Sequence, residues 1–267
     1  EAEEYRRDFT NAMAHEMKTP LSVIRGFAEN LTENPDTGKK DYYLDQIIRQ
    51  TEEMDGNVKE MIQVSKLDSD DLILKQETLP VRDLLEKEIG RLLPRTEERR
   101  ITVDFRCARD IVLEGDEKLM EKAFRCLLDN AVSYCRDDGR ITIEADQEKC
   151  VIRDTGSRIP EEDLPRVCDM LWSGSREEKT LQHGEKHLGM GLYLAERIFR
   201  IHGMTLKVEN WTEGVQLPLN SGKAGRKMAA AGPLMRCSGS RIYSTEEYSC
   251  RYLHGVQFKY FRKTFIK

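Results

Sequence analysis

Two runs of apolar residues, each confined to one side of a helix, dominate the first 65 positions. Phe9, Ala12, Met13, Met17, Leu21, Ile24, Ala28 and Leu31 recur at three- and four-residue steps, which is the spacing of one helical face. Leu44, Ile47, Ile48, Thr51, Met54, Val58, Met61, Ile62 and Ser65 follow a nearly heptad repeat. Between the runs stand Asn34, Pro35, Asp36, Thr37 and Gly38, all turn-forming types. The pattern predicts a helical hairpin over residues 1–70, with its first helix over about 3–31. Neither helix can bury its stripe alone. Pairing two hairpins into a four-helix bundle is the economical solution, so a homodimer is expected.

A plain dimerisation hairpin accounts for the stripes but not for the polar group carried on the first one. His15 is followed directly by Glu16, with Thr19 four residues after the histidine and Pro20 next. A neutral imidazole is a nucleophile, and a neighbouring carboxylate can hold its other nitrogen and accept its proton. A single histidine on a helix is most often a surface or packing residue, so this pattern alone does not decide the matter. Pro20 removes one helical hydrogen bond and predicts a bend one turn beyond His15.

Composition narrows the classes. The chain of 267 residues is 39% hydrophobic and 34% charged, which suits helix-rich, water-exposed folds. No apolar run approaches the ~20 residues of a membrane-spanning helix. The opening residues 1–8 are charged and polar rather than leader-like. Seven cysteines without a CxxC pair argue against a structural zinc site and against a disulfide framework. A net charge of −5 makes nucleic acid an unexpected partner. Residues 221–267 hold ten Lys or Arg against two Asp or Glu, so an acidic body carries a basic, aromatic tail. The tail, taken as residues 220–267, is expected to be disordered or of separate origin.

Residues 71–219 alternate strand and helix patterns. Strands are expected at 72–79, 101–107, 111–114, 140–146, 149–154, 205–210 and 214–217, and helices at 80–93, 116–134 and 188–202. This order predicts an α+β two-layer sandwich. Three motifs lie in it: Cys126-Leu127-Leu128-Asp129-Asn130-Ala131-Val132-Ser133-Tyr134, then Asp154-Thr155-Gly156-Ser157-Arg158-Ile159-Pro160, then Leu188-Gly189-Met190-Gly191-Leu192 opening a helix. Backbone N–H groups at a helix start favour phosphate. A long loop, 161–187, separates the last two, and Met170-Leu171-Trp172 sits near its beginning. His183 and His187 within it lack a third ligand for a metal.

The first stretch, Phe9 through Leu21, resembles the H-box of sensor histidine kinases. The three later motifs resemble, in the same order, the N-box, G1 box and G2 box of the Bergerat-type ATP-binding domain of that family. The resemblance covers about 220 residues. It implies a dimeric phosphoacceptor hairpin followed by an ATP-binding domain, with ATP and Mg²⁺ as cofactors. It implies that His15 is phosphorylated from ATP, with Glu16 as general base, and that the phosphoryl group passes to an aspartate on a response-regulator receiver domain. Thr19 would position water for dephosphorylating the regulator. Asn130 would bind Mg²⁺, Asp154 would accept from the adenine amino group, and Gly156, Gly189 and Gly191 would admit the nucleotide to the backbone. Tyr134 and Leu192 complete the implied nucleotide-binding set. The chain would be a cytoplasmic fragment, its membrane anchor lying in upstream segments. Three positions depart from the family pattern: Cys126 for Asn, Ser133 for Lys, and Arg158 for Gly. They leave open a degenerate member acting as scaffold or phosphatase. An ATPase of the same superfamily is a further alternative, although such enzymes place Glu where Cys126 stands.

Overall fold

A computed structural model of the chain describes residues 2–34, 38–67, 72–107, 111–170, 172, 189–221 and 229–230. Residues 171 and 173–187 of the long loop expected over 161–187, with His183 and His187, and most of the basic tail lie outside the described residues.

The hairpin consists of α1 (Ala2–Glu33) and α2 (Lys40–Leu67). Gly38 turns the chain between them with φ +64°, a conformation that glycine adopts without steric penalty. Phe27 closes this end against Tyr42 and Tyr43, with ring centroids 6.2 and 5.6 Å away. Pro20 lies inside α1. At the other end Met61, Val64 and Leu67 of α2 are buried in the core, and Met13 and Met17 of α1 pack against it. The outward stripe of Leu44, Ile48, Val58 and Ile62 remains exposed, as does Leu21.

The second unit is built from β1 (Glu77–Pro80), α3 (Val81–Glu98), β2 (Thr102–Cys107), β3 (Ile111–Gly115), α4 (Glu117–Tyr134), β4 (Arg140–Ala145), β5 (Lys149–Asp154), α5 (Gly191–Ile201), β6 (Met204–Leu206), β7 (Glu209–Trp211), β8 (Gly214–Ser221) and β9 (Ala229–Ala230). Strands β2-β4-β5-β8-β6 form the main sheet, with β7 also on β8. β2 and β4 are parallel and the other pairs antiparallel. β1, β3 and β9 make a small second sheet. α4 packs on β5 and lies between α3 and α5. Ile141, Ile143 and Ala145 alternate inward from β4, the period-two pattern of a sheet with one buried face. Phe124 of α4 meets Phe199 of α5 edge-on, centroids 5.4 Å apart.

Three expectations need correction. The strand expected over 72–79 pairs only from Glu77, because its partner β3 ends at Gly115 opposite that residue. α3 does not stop at 93. It continues through Pro94 to Glu98, and the Thr96 hydroxyl donates to the Leu93 carbonyl at 3.0 Å, satisfying one acceptor near the interruption. The run 205–210 is two strands, β6 and β7, each paired to β8. In the tail, Ala229 and Ala230 pair with Val112 and Ile111.

Two polar fastenings hold the helices of this unit. The Asp116 side chain caps α4 by accepting from the Leu119 N–H at 3.2 Å, the usual N-cap arrangement. His202, at the end of α5 and 2% exposed, accepts from the Asp116 N–H through Nε2 at 3.1 Å. Its Nδ1 donates to the Ile198 carbonyl at 2.7 Å. Gly115 makes this possible, since a β-carbon there would stand 2.7 Å from the imidazole Cδ2.

Candidate nucleotide site

Three elements converge on the candidate site: α4, the end of β5 with its following loop, and the start of α5. On α4, Cys126, Asn130 and Tyr134 recur every four residues and so share one side of the helix. Cys126 is buried, Asn130 half-buried and Tyr134 40% exposed. The amide of Asn130 is a suitable hard ligand for a divalent cation.

Asp154, the last residue of β5, is 2% exposed. The Val215 N–H donates to its carboxylate, but burial dominates and pushes its pKa up to about 7. Its Oδ1 meets no hydrogen-bond donor. A buried carboxylate oxygen left without a donor is costly, and its natural complement is a ligand N–H. Gly156 forms the wall beside it. A β-carbon there would overlap the Tyr134 carbonyl and stand 2.8 Å from Asp154 Oδ1, so only glycine fits beside that oxygen.

The third component is the beginning of α5. Gly189 has φ +70°, a turn that side-chain-bearing residues rarely make. Met190 precedes the helix, fully buried and without a side-chain cap. The first N–H groups of α5 thus lack a capping side chain, the condition under which a helix start accepts an anion. A β-carbon at Gly191 would stand 3.9 Å from the Cys126 β-carbon, so the protein itself leaves ordinary space there. Leu192 is half-buried and packs on the core.

These contacts orient the site. Tyr134 touches the Asp154–Gly156 end and Cys126 the α5 end. Eight residues of α4 separate them, about 12 Å at ~1.5 Å per residue. That separation suits a ligand with an N–H donor at one end and anionic groups at the other. Asn130 lies midway.

The three departures from the family pattern acquire physical content. Arg158 is exposed, with Nη2 3.7 Å from Glu161 Oε1. Its backbone is not left-handed: the non-glycine residues with positive φ among those described are Arg100 and Asp138. Ser133 accepts from Arg95 Nη2 at 3.1 Å, while Nη1 donates to Asp129 at 2.8 Å. A guanidinium from α3 therefore stands beside Ser133. Burial pushes the Cys126 thiol up to about 12, so it stays protonated and unreactive near neutrality.

Sequence reasoning missed the residues that hold the loop after β5. Asn210 clasps Ile159, donating from Nδ2 to its carbonyl at 2.7 Å and accepting from its N–H at 2.9 Å. Trp211 Nε1 donates to the Asp154 carbonyl at 2.9 Å. At Gly214 a β-carbon would overlap that same carbonyl and crowd the Gly156 nitrogen at 2.7 Å. The Asn-Trp-x-x-Gly run over 210–214 was the available signal, but it reads as an ordinary strand and turn.

His15, Glu16 and Thr19 belong to α1 rather than to this cluster. Thr19 is exposed. The side chains of His15 and Glu16 lie outside what the structure describes. Met170, near the beginning of the long 161–187 loop, packs on the core, and Trp172 is half-buried. Leu171 lies outside the described residues.

Comparison with known proteins agrees with this arrangement. Residues 5–70 match the His Kinase A (phospho-acceptor) domain, and residues 115–226 match the histidine kinase-, DNA gyrase B- and HSP90-like ATPase family. Sensor protein SrrB of Staphylococcus aureus is 24% identical over 216 residues, covering 78% of this chain and 36% of that protein. Among solved structures, histidine kinase AdeS of Acinetobacter baumannii superposes with a TM-score of 0.61 at 18% identity, covering 79% of this chain and 98% of that one. Histidine kinase ThkA, in complex with response regulator protein TrrA, gives 0.65 at 20% identity, covering 81% and 61%. The structural likenesses are likenesses of fold.

The chain belongs to the sensor histidine kinases: a phospho-acceptor hairpin joined to a histidine-kinase-type ATPase domain. It spans about a third of the length of the curated relatives it matches.

Proposed function

We propose that this chain is the kinase portion of a sensor histidine kinase, which phosphorylates His15 from ATP and passes the phosphoryl group to an aspartate of a response-regulator receiver domain. The observation that carries the reading is the buried Asp154 carboxylate. Its Oδ1 has no donor and faces a wall, Gly156, that cannot carry a side chain. An adenine amino group supplies the missing donor. The uncapped start of α5, some 12 Å along α4, receives the phosphates.

His15 is the nucleophile and Glu16 accepts its proton. Thr19 orients a water that hydrolyses the regulator's aspartyl phosphate, releasing inorganic phosphate. Asn130 holds Mg²⁺, which neutralises charge on the transferring phosphoryl group. Asp154 and Gly156 select the base beside Tyr134, and Gly189, Gly191 and Leu192 shape the phosphate turn. The exposed stripe of Leu44, Ile48, Val58 and Ile62 supports homodimerisation through the hairpin. The functional units are residues 1–70 and 71–219, with 220–267 as an appended tail. The intact protein is anchored in the cytoplasmic membrane by segments upstream, with this portion in the cytoplasm. Cys126, protonated at neutral pH, cannot replace a water-activating carboxylate, which weighs against a hydrolytic ATPase.

The test is incubation of the purified chain with γ-labelled ATP and Mg²⁺. Label on the wild-type chain that disappears in His15→Gln and in Asp154→Ala is the expected result. Absence of both label and nucleotide binding in the wild type would overturn the reading.

A further inference from the structure

The hairpin and the ATP-binding unit meet at a single described ion pair close to the start of α5. Lys122 of α4 donates from Nζ to Oε1 of Glu60 on α2 at 3.2 Å, with the two side chains 23% and 29% exposed. Glu60 adjoins Met61, which is buried together with Val64, and this part of α2 packs against α5. Lys122 lies one turn before Cys126 on the stripe that faces the site, and its charge acts on the Cys126 thiol. Cys126 in turn is the residue beside Gly191. Lys122, Cys126 and the first turn of α5 thus form one corner, at the end of the site remote from Asp154. From Tyr134 to Lys122 the axial distance is about 18 Å, at ~1.5 Å per residue, so a ligand with its base at Asp154 extends its last phosphate toward Lys122.

We propose that Lys122 is a shared cation: it pairs with Glu60 when the site is empty and with the terminal phosphate of ATP when the site is filled. This rests on the ATP-binding reading above. A lysine ammonium has three donors on a flexible stem and can change partner without backbone movement. Glu60 and the terminal phosphate then compete for one charge. By linkage, ATP loosens the hold of the domain on α2, and the Glu60 contact weakens ATP binding by the same factor. ADP, which lacks the terminal phosphate, leaves the Glu60 pair in place.

The competition predicts effects of opposite sign. Equilibrium binding of ATP and ADP, each with Mg²⁺, is measured by titration calorimetry on the whole chain. Lys122→Gln weakens ATP binding about tenfold, the loss of one charge-assisted contact, and ADP binding much less. Glu60→Gln tightens ATP binding about threefold, a modest gain in keeping with a partly exposed pair. In the Lys122→Gln background Glu60→Gln has no effect on ATP affinity. A pair that only clamps the two units together would shift ATP affinity in the same direction when either partner is removed, and that result overturns the proposal. Equal losses for ATP and ADP in Lys122→Gln also overturn it. Failure of the wild type to bind either nucleotide instead removes the ATP-binding reading itself.

Discussion

Gly156 packs so closely on Tyr134 that a β-carbon at position 156 would overlap the Tyr134 carbonyl oxygen. The obstacle is backbone at the end of α4, not the far end of a mobile side chain, so it cannot step aside. Gly156→Ala is expected to lose on the order of 3 kcal/mol of stability, measurable as a lowered unfolding midpoint. Nucleotide binding should fall with it, because the same β-carbon crowds Asp154 Oδ1. An alanine variant of wild-type stability would show that the loop relaxes freely.

Asp154 gives a pH signature. Burial raises its folded-state pKa to about 7, above the ~3.9 of an unfolded aspartate. The folded state therefore holds the proton more tightly, and the stability this group contributes is present at acid pH and lost as pH rises from about 4 through 7. Asp154→Asn should flatten the unfolding midpoint across that window and raise it at neutral pH and above. ATP binding by the wild type should strengthen as pH rises through about 7, since an adenine N–H prefers an ionised acceptor. An affinity that is level across this range would contradict the assignment.

Arg158 is exposed and its backbone is relaxed. Restoring glycine there should change ATP affinity less than about threefold, within the usual span of surface substitutions. A gain of tenfold or more in Arg158→Gly would mean that the arginine obstructs the site.

The clasp between Asn210 and Ile159 contributes two hydrogen bonds. Asn210→Ala should lose about 2 kcal/mol of stability and weaken nucleotide binding by releasing the loop that follows Asp154. Calorimetry and thermal unfolding on the same samples separate the two effects. Unchanged affinity in a destabilised variant would make Asn210 a purely structural residue.

Ile48 is 57% exposed and Ile62 48% exposed on the outward stripe of α2. Ile48→Glu, and the double change with Ile62→Glu, should convert a dimer into a monomer in sedimentation or light scattering, because charge on a buried apolar seam is strongly unfavourable. A dimer that survives the double substitution would place the interface elsewhere.

The hairpin and the order of helices and strands were legible because their signals are periodic and local. Cys126, Asn130 and Tyr134 share a stripe that can be counted from the sequence, and Gly189 and Gly191 open a helix that its own apolar spacing reveals. The supports around Asp154 were not legible. Asn210, Trp211 and Gly214 act on residues more than fifty positions earlier, through a β7–β8 turn whose pairing is visible only once the sheet is assembled. The length of β1 was likewise hidden, since it is set by where β3 stops. Arg95 illustrates the same limit from the other side. Position 133 alone reads as a lost charge, whereas the fold brings a guanidinium to it from α3.

The imidazole of His202 has both nitrogens engaged, one with the backbone entering α4 and one with the last turn of α5. The two helices that border the candidate site are therefore riveted at one end like a pair of tongs. A change in the angle between them would move the start of α5, at the far end of that helix, more than the riveted end. The spacing of the two helices is thus set at one end by an imidazole with both nitrogens bonded, and farther along by the edge-on contact of Phe124 with Phe199.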